Sequence, residues 1–301
     1  LIKKNKMIYD CFSYWDEDIL LDLRLNVLDD FVDYFVIVEG NKTWQNNYKK
    51  LRFDITKFEK FKKKIIYKVY NESLKDIEII SDKDDEKIKA EKNIRNAIRR
   101  ENGQRNYINQ GLTSAAGEDI ILISDVDEIP KMSNIDFGHI KEKIILFNQD
   151  MFYYKFDLKL PNKIWAGTKG CRKRDLINPQ WLRNIKDRKY SLLRIDTLFS
   201  KTKYNSIKFI NDGGWHFSNI KSAKEIEHKL KSYLHHQEFD EKPLTVNQIN
   251  EIIKNKQAIY DLTLDKRVNK IGTGSQLEKF DFNKLPKYLK ENKEKYLQWL
   301  D

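Results

Sequence analysis

The segment Ile120-Ile121-Leu122-Ile123-Ser124-Asp125-Val126-Asp127-Glu128-Ile129-Pro130 constrains this chain more than any other. Four consecutive apolar residues suit a strand buried on both faces, inside a parallel sheet. The carboxylates begin where that strand ends. Ligands of open α/β sheets bind outside the carboxyl ends of the strands, so Asp125 and Asp127 are placed to face one bound group. Carboxylates this close repel unless a cation lies between them, and hard oxygens suit Mg²⁺ or Mn²⁺. Phosphohydrolases with a nucleophilic Asp also use a strand-terminal Asp-x-Asp, which would make Asp125 the nucleophile. Those enzymes continue into a small polar pair, however, whereas Glu128-Ile129-Pro130 follows here.

The surrounding pattern extends the same architecture. Strands are predicted at 8–12, 34–38, 64–70 and 119–124, separated by helical periodicity at 16–30 and 87–112. This is the alternation of a mostly parallel sheet covered by helices. Beyond Pro130 the expectation is aromatic-rich strands at 143–147 and 151–158, a basic loop over 161–188, and strands at 192–199 and 206–211. Three helices, at 223–237, 246–260 and 285–300, close the chain. With only five prolines and no low-complexity linker, one continuous α/β body is expected.

Composition narrows the partners. The chain has 57 Lys and Arg against 46 Asp and Glu, a formal net charge of +11, but 45 of the cations are Lys and only 12 are Arg. Readers of base edges and phosphates favour the Arg fork, so the Lys reads as a solvated coat and nucleic acid is not an expected partner. A basic skin still attracts nucleotide-like anions. The clearest apolar runs are four residues, far short of the ~20 of a membrane helix, and the Lys-rich start lacks a secretory apolar core. The expectation is a cytoplasmic enzyme, open to peripheral membrane contact and to an anchor upstream of residue 1. Two cysteines, Cys11 and Cys171, argue against a disulfide scaffold.

Two further constellations point to chemistry. At 100° per residue, Ile98, Glu101, Arg105, Ile108 and Leu112 all fall within about 40° of Ile94 on a helix. Glu101 and Arg105 then form an inward i,i+4 pair, with Arg105 aimed at a phosphate, and Gly103 suggests close backbone approach. Asn211-Asp212-Gly213-Gly214-Trp215-His216 reads as a strand end where backbone passes close to a ligand. His216 is the natural third metal ligand beside Asp125 and Asp127.

Taken in order, Ile8-Tyr9-Asp10-Cys11-Phe12, Val38-Glu39, Gln104-Arg105-Asn106, Asp125-Val126-Asp127-Glu128-Ile129-Pro130 and Gly214-Trp215-His216 resemble glycosyltransferase family 17. The resemblance runs from about residue 7 to about residue 240, taken as the catalytic domain, with 241–301 a helical extension packed on it. It implies a GT-A-like nucleotide-sugar fold and metal-assisted, inverting transfer from UDP-GlcNAc to a glycan, in a β-1,4 linkage. Another nucleotide sugar is the alternative donor. Asp125 and Asp127 would face the metal and the ribose or diphosphate, Glu39 the uridine and Arg105 the diphosphate, with Glu101 and Gln104 also in the nucleotide-sugar site. Animal members carry a membrane anchor and a Cys-containing stretch after Gly-Trp-His; Phe217-Ser218-Asn219 stands here.

The expected reaction is a single displacement. The metal neutralises the departing diphosphate, and a carboxylate takes the proton of the attacking hydroxyl. Asp212 is the first candidate base and Glu238 the second. Trp165 offers a flat face to the acceptor sugar and Trp215 one to the donor.

Overall fold

In the computed structural model, which describes residues 6–191, 193–232, 242–262, 269–272 and 274–301, the first half follows the expected alternation. Strand β1 (Ile8–Tyr14) leads into helix α1 (Asp18–Leu28), then β2 (Tyr34–Gly40), β3 (Ile65–Tyr70), helix α2 (Glu86–Asn106) and β4 (Ile120–Asp125). These four strands are all parallel, in spatial order β3-β2-β1-β4. Alternate residues of β4 enter different cores: Ile120 and Leu122 pack with α1, and Ile121 and Ile123 with the residues after α2. Both faces are therefore buried, which is why the run does not alternate with polar residues.

The second half curls the sheet round. Short β5 (Glu128–Pro130) is followed by β6 (Ile144–Tyr153) and β7 (Leu158–Arg172), an antiparallel hairpin whose long strand lies against β4. After α3 (Pro179–Asn184) and α4 (Asp196–Phe199) come β8 (Ile207–Ile210) and β9 (Gly214–Ser218), both parallel to β6, and β9 also pairs with β5. Helices α5 (Ala223–Ser232) and α6 (Val246–Lys254) and the two-residue β10 (Glu278–Lys279) follow. The chain ends in α7 (Lys287–Glu291) and α8 (Lys293–Tyr296). Leu285, Leu289 and Tyr296 sit in the same core as β1 and α1. The architecture is mixed α/β, a curled central sheet flanked by helices, consistent with the GT-A-like expectation.

Several expectations change. The basic stretch 161–188 is not all loop, because β7 runs through to Arg172. There, hairpin pairing with β6 overrides a polar composition, and Lys169 is buried only because its ammonium donates to the carbonyls of Arg183 and Ile185, both at 2.6 Å. The strand expected at 192–199 is, in its described residues, irregular chain and the four-residue α4. The last helix is interrupted at Asn292 (φ −117°). Ile98 faces solvent, and the buried face of α2 runs instead through Asn96, Ala97, Gln104 and Arg105. Both cysteines are buried thiols.

The Gly213-Gly214 pair also has a different cause from the one expected. Gly214 has φ +125°, and a Cβ there would collide with the backbone of Ile129, Pro130 and Lys131. The close approach is strand to strand, not chain to ligand. Gly214→Ala is expected to cost about 2–4 kcal/mol in urea unfolding. Gly117→Ala, where a Cβ meets only Arg174 at 3.6 Å, should change stability by about 0.5 kcal/mol or less. Equal losses would contradict the assignment.

Candidate active site

The site is built on a buried ion pair that the sequence reading missed. Arg24 of α1 and Asp10 of β1 are both fully buried and meet bidentately, Nε to Oδ2 at 2.7 Å and Nη2 to Oδ1 at 2.5 Å. The remaining donors of Arg24 hold the acidic turn after β4. Nη2 reaches Ser124 Oγ at 2.6 Å, and Nη1 reaches the carbonyls of Asp125 (3.1 Å), Val126 (3.3 Å) and Glu128 (2.7 Å). The guanidinium fork can satisfy several carbonyls and a carboxylate at once. The turn is therefore shaped from beneath.

Glu128 tightens it from within. Its buried carboxylate accepts the backbone N–H of Asp125 (2.9 Å), the indole N–H of Trp165 (2.7 Å) and Arg183 of α3 (2.7 and 2.9 Å). Arg183 also donates to Asp125 Oδ2 at 2.9 Å, while Arg105 donates to Asp125 Oδ1 at 3.1 Å and to Glu101 at 2.9 Å. Asp125 thus sits between two guanidiniums. Withdrawal from water pushes its carboxyl up, but Arg183 and Arg105 outweigh that and hold it well below the usual carboxylate range.

The turn opens into a cavity of about 300 Å³ at the carboxyl ends of β1 and β4, with walls from α2, β6, β7, β9 and α5. Side chains alternate along β9. Trp215 and Phe217 point into the core, whereas His216 and Ser218 line the cavity. His216 Nε2 lies 3.6 Å from Asp127 Oδ2, and Trp165 packs on the imidazole at 5.0 Å between ring centroids. Burial works against the histidine cation, yet the Asp127 carboxylate prevails and raises the His216 pKa; His216 in turn holds Asp127 low.

Not every expected residue gathers here. Asp125, Asp127, His216, Glu101, Gln104, Arg105 and Trp165 all line the cavity, and the predicted Glu101–Arg105 pair is formed. Trp215 is turned to the core by the strand alternation. Glu39 is fully buried away from the cavity, and its oxygens accept from Lys49 (2.7 Å), Arg52 N (2.8 Å), Phe53 N (3.1 Å) and Tyr67 (2.8 Å), leaving no capacity for a uridine. Asp212 lies outside the cavity, on an exposed turn beside Lys131. Glu238 falls outside the described residues.

The expected metal trio is likewise altered. Among the described residues, no group of three or more His, Cys, Asp or Glu converges on one point. Asp125 drops out because both of its oxygens are engaged by arginines. Asp127 and His216 remain as an oxygen and a nitrogen donor on one cavity edge. That pair fits a cation that takes its other ligands from water and substrate phosphates, as Mg²⁺ commonly does. The twofold engagement of Asp125 also weakens the phosphohydrolase reading, which needs a free carboxylate nucleophile there.

Residues the sequence reading passed over complete the walls. Trp15, immediately after β1, packs against Trp44 at 5.4 Å between ring centroids. Glu17 lines the same cavity; its Oε2 accepts from the Trp15 and Asp16 N–H groups at 3.2 and 3.1 Å. Burial pushes the Glu17 carboxyl up, with Asp16 and Asp127 adding to the rise and Lys221 and Lys229 opposing it. Their position after β1, the neighbour of β4, was the available signal.

An α/β enzyme with its cavity at the carboxyl ends of parallel strands, lined by paired acids, an arginine and tryptophans, has the make-up of a sugar-transferring enzyme. Residues 1–176 match the family model of glycosyltransferase family 17, and the chain belongs to that family. It is a glycosyltransferase, acting with a sugar donor and a glycan acceptor. No curated protein matches the chain. No helix among the described residues is long and apolar enough to cross a membrane.

Removing Arg24 should disturb this turn and the fold together. Arg24→Met leaves Asp10 charged and buried, for an expected loss of about 3–5 kcal/mol in chemical unfolding. Adding Asp10→Leu should recover most of that loss without restoring the native environment of Trp165, read by its fluorescence. Full recovery of both signals would contradict the role given to Arg24.

Proposed function

We propose that this glycosyltransferase moves GlcNAc from UDP-GlcNAc to a glycan acceptor in one displacement that inverts the anomeric carbon and forms a β-1,4 bond. Mn²⁺ or Mg²⁺ would be held by Asp127 and His216. The observation that carries the reading is the arrangement of charge in one small cavity. Arg105 stands on one wall, the Asp127–His216 edge on another, and all sit where an open parallel sheet binds nucleotides.

Arg105 presents its guanidinium to the donor diphosphate, oriented by Glu101 and Asp125, in a pocket where a charge-assisted hydrogen bond is strong. A cation held by Asp127 and His216 would supply Lewis-acid stabilisation of the departing UDP. Trp15, Trp44 and Trp165 offer apolar faces to the base and sugar rings. Glu17 takes the acceptor hydroxyl proton in place of Asp212. It is a cavity carboxylate whose raised pKa brings it closer to that of an effective base at neutral pH. The acceptor oxygen bonds to the anomeric carbon as the bond to UDP breaks, and the proton goes to Glu17.

Calorimetry with UDP and Mn²⁺ tests the donor site. Asp127→Ala should weaken binding about 100-fold, and Arg105→Ala about 10- to 100-fold, whereas uridine should be affected by Arg105→Ala no more than about twofold. Equal losses for UDP and uridine would remove Arg105 from the diphosphate. For the base, Glu17→Gln should lower turnover about 10²- to 10⁴-fold with UDP affinity retained. In the parent, the rate should fall as the pH drops through the raised Glu17 pKa. Retained turnover in Glu17→Gln would exclude that role.

A further inference from the structure

The chain between α3 and β8 leaves the body and returns to it at nearly the same place. Lys186 N donates to the Thr202 carbonyl at 2.8 Å, and the Trp181 indole donates to the Lys201 carbonyl at 2.8 Å. A loop closed at its neck in this way is a compact unit of the kind that often carries function. Its side chains are the reverse of what a solvated loop presents. Leu193 is 91% exposed, Phe199 83% and Ile195 70%, three of the five most exposed large apolar residues described in the chain.

Charge surrounds them. Lys186, Arg188, Lys189, Arg194 and Lys201 are exposed and Lys203 is half-buried, against only Asp187 and Asp196. Asp196 is already neutralised by Arg194 and Lys203, each at 2.8 Å. The loop therefore exposes bare apolar side chains within a segment of strong positive charge. A second copy of the chain is a poor occupant, since a two-fold contact would bring the two basic segments together. A nucleic acid would use the cations but not the leucine, isoleucine and phenylalanine.

We propose that the loop 186–202 is a membrane-docking element. Leu193, Ile195 and Phe199 enter the boundary between headgroups and acyl chains, and the surrounding Lys and Arg bind anionic lipid headgroups. Apolar insertion plus a polybasic rim is the two-signal combination that gives reversible attachment to an anionic bilayer. The loop follows directly on α3, whose Arg183 grips Asp125 and Glu128. Docking would hold the cavity near the bilayer surface. The inference concerns a surface outside the cavity and stands whether or not the donor assignment holds.

Vesicle co-sedimentation of the full chain tests it, with phosphatidylcholine alone and with phosphatidylcholine containing about 30 mol% phosphatidylglycerol. The parent should sediment with the anionic vesicles, weakly with the neutral ones, and less as salt is raised. Leu193→Ser/Ile195→Ser/Phe199→Ser and, separately, Lys186→Glu/Arg188→Glu/Lys189→Glu should each lower partitioning about tenfold or more. Both should keep the parent's melting temperature, because the six side chains are exposed. Equal binding to neutral and anionic vesicles, or unchanged binding by either variant, would overturn the proposal. So would a parent that dimerises in sedimentation velocity through these residues and ignores vesicles.

Discussion

The geometry of the cavity depends on one buried guanidinium. Arg24 spends its bidentate face on Asp10, in the middle of β1, and its outer nitrogens on three carbonyls and a hydroxyl of the turn after β4. A buried ion pair is weak evidence for net stability, because desolvation offsets most of the attraction. What it supplies here is position. Adjacent parallel strands are locked to each other, and the acidic turn takes its shape from a rigid fork rather than from a mobile loop.

A second layer of charge rests on that support. Glu128 joins β5 to Trp165 of β7 and Arg183 of α3, and Lys169 holds the carbonyl end of α3. Burial, with the neighbouring Arg183 cation adding to it, brings the Lys169 pKa down to about 8. Arg183 and Arg105 then meet on Asp125, so its carboxylate orients arginines. Asp127, two residues on, shares the cavity edge with His216. The two acids of the Asp-x-Asp thus perform different tasks, set by which cations reach them.

Much of this was legible in the residues. The parallel half of the sheet followed from unalternating apolar runs, and the place of the cavity from the acids at the end of 120–123. The Glu101–Arg105 pair followed from helical spacing. What could not be read were contacts between segments distant in sequence. Arg24 belongs to no motif or spacing that singles it out from Asp18 and Asp22 in the same leucine-rich helix. Arg183 lies in a basic stretch whose composition predicts loop, and nothing local to Glu39 shows that Lys49, Arg52, Phe53 and Tyr67 close round it. Asp212 sits two residues before Gly214, but the same turn that requires a left-handed glycine carries that carboxylate away from the cavity.

The central claim is that the diphosphate of a sugar nucleotide lies between Arg105 and a cation on the Asp127–His216 edge. A crystal soaked with Mn²⁺ and UDP, with the metal located by its anomalous scattering, tests this most directly. One manganese peak is expected within bonding distance of Asp127 and His216, with phosphate oxygens on Arg105 and none of the metal on Asp125. A manganese peak bound to Asp125 with both arginines displaced, or a nucleotide bound elsewhere, would contradict it.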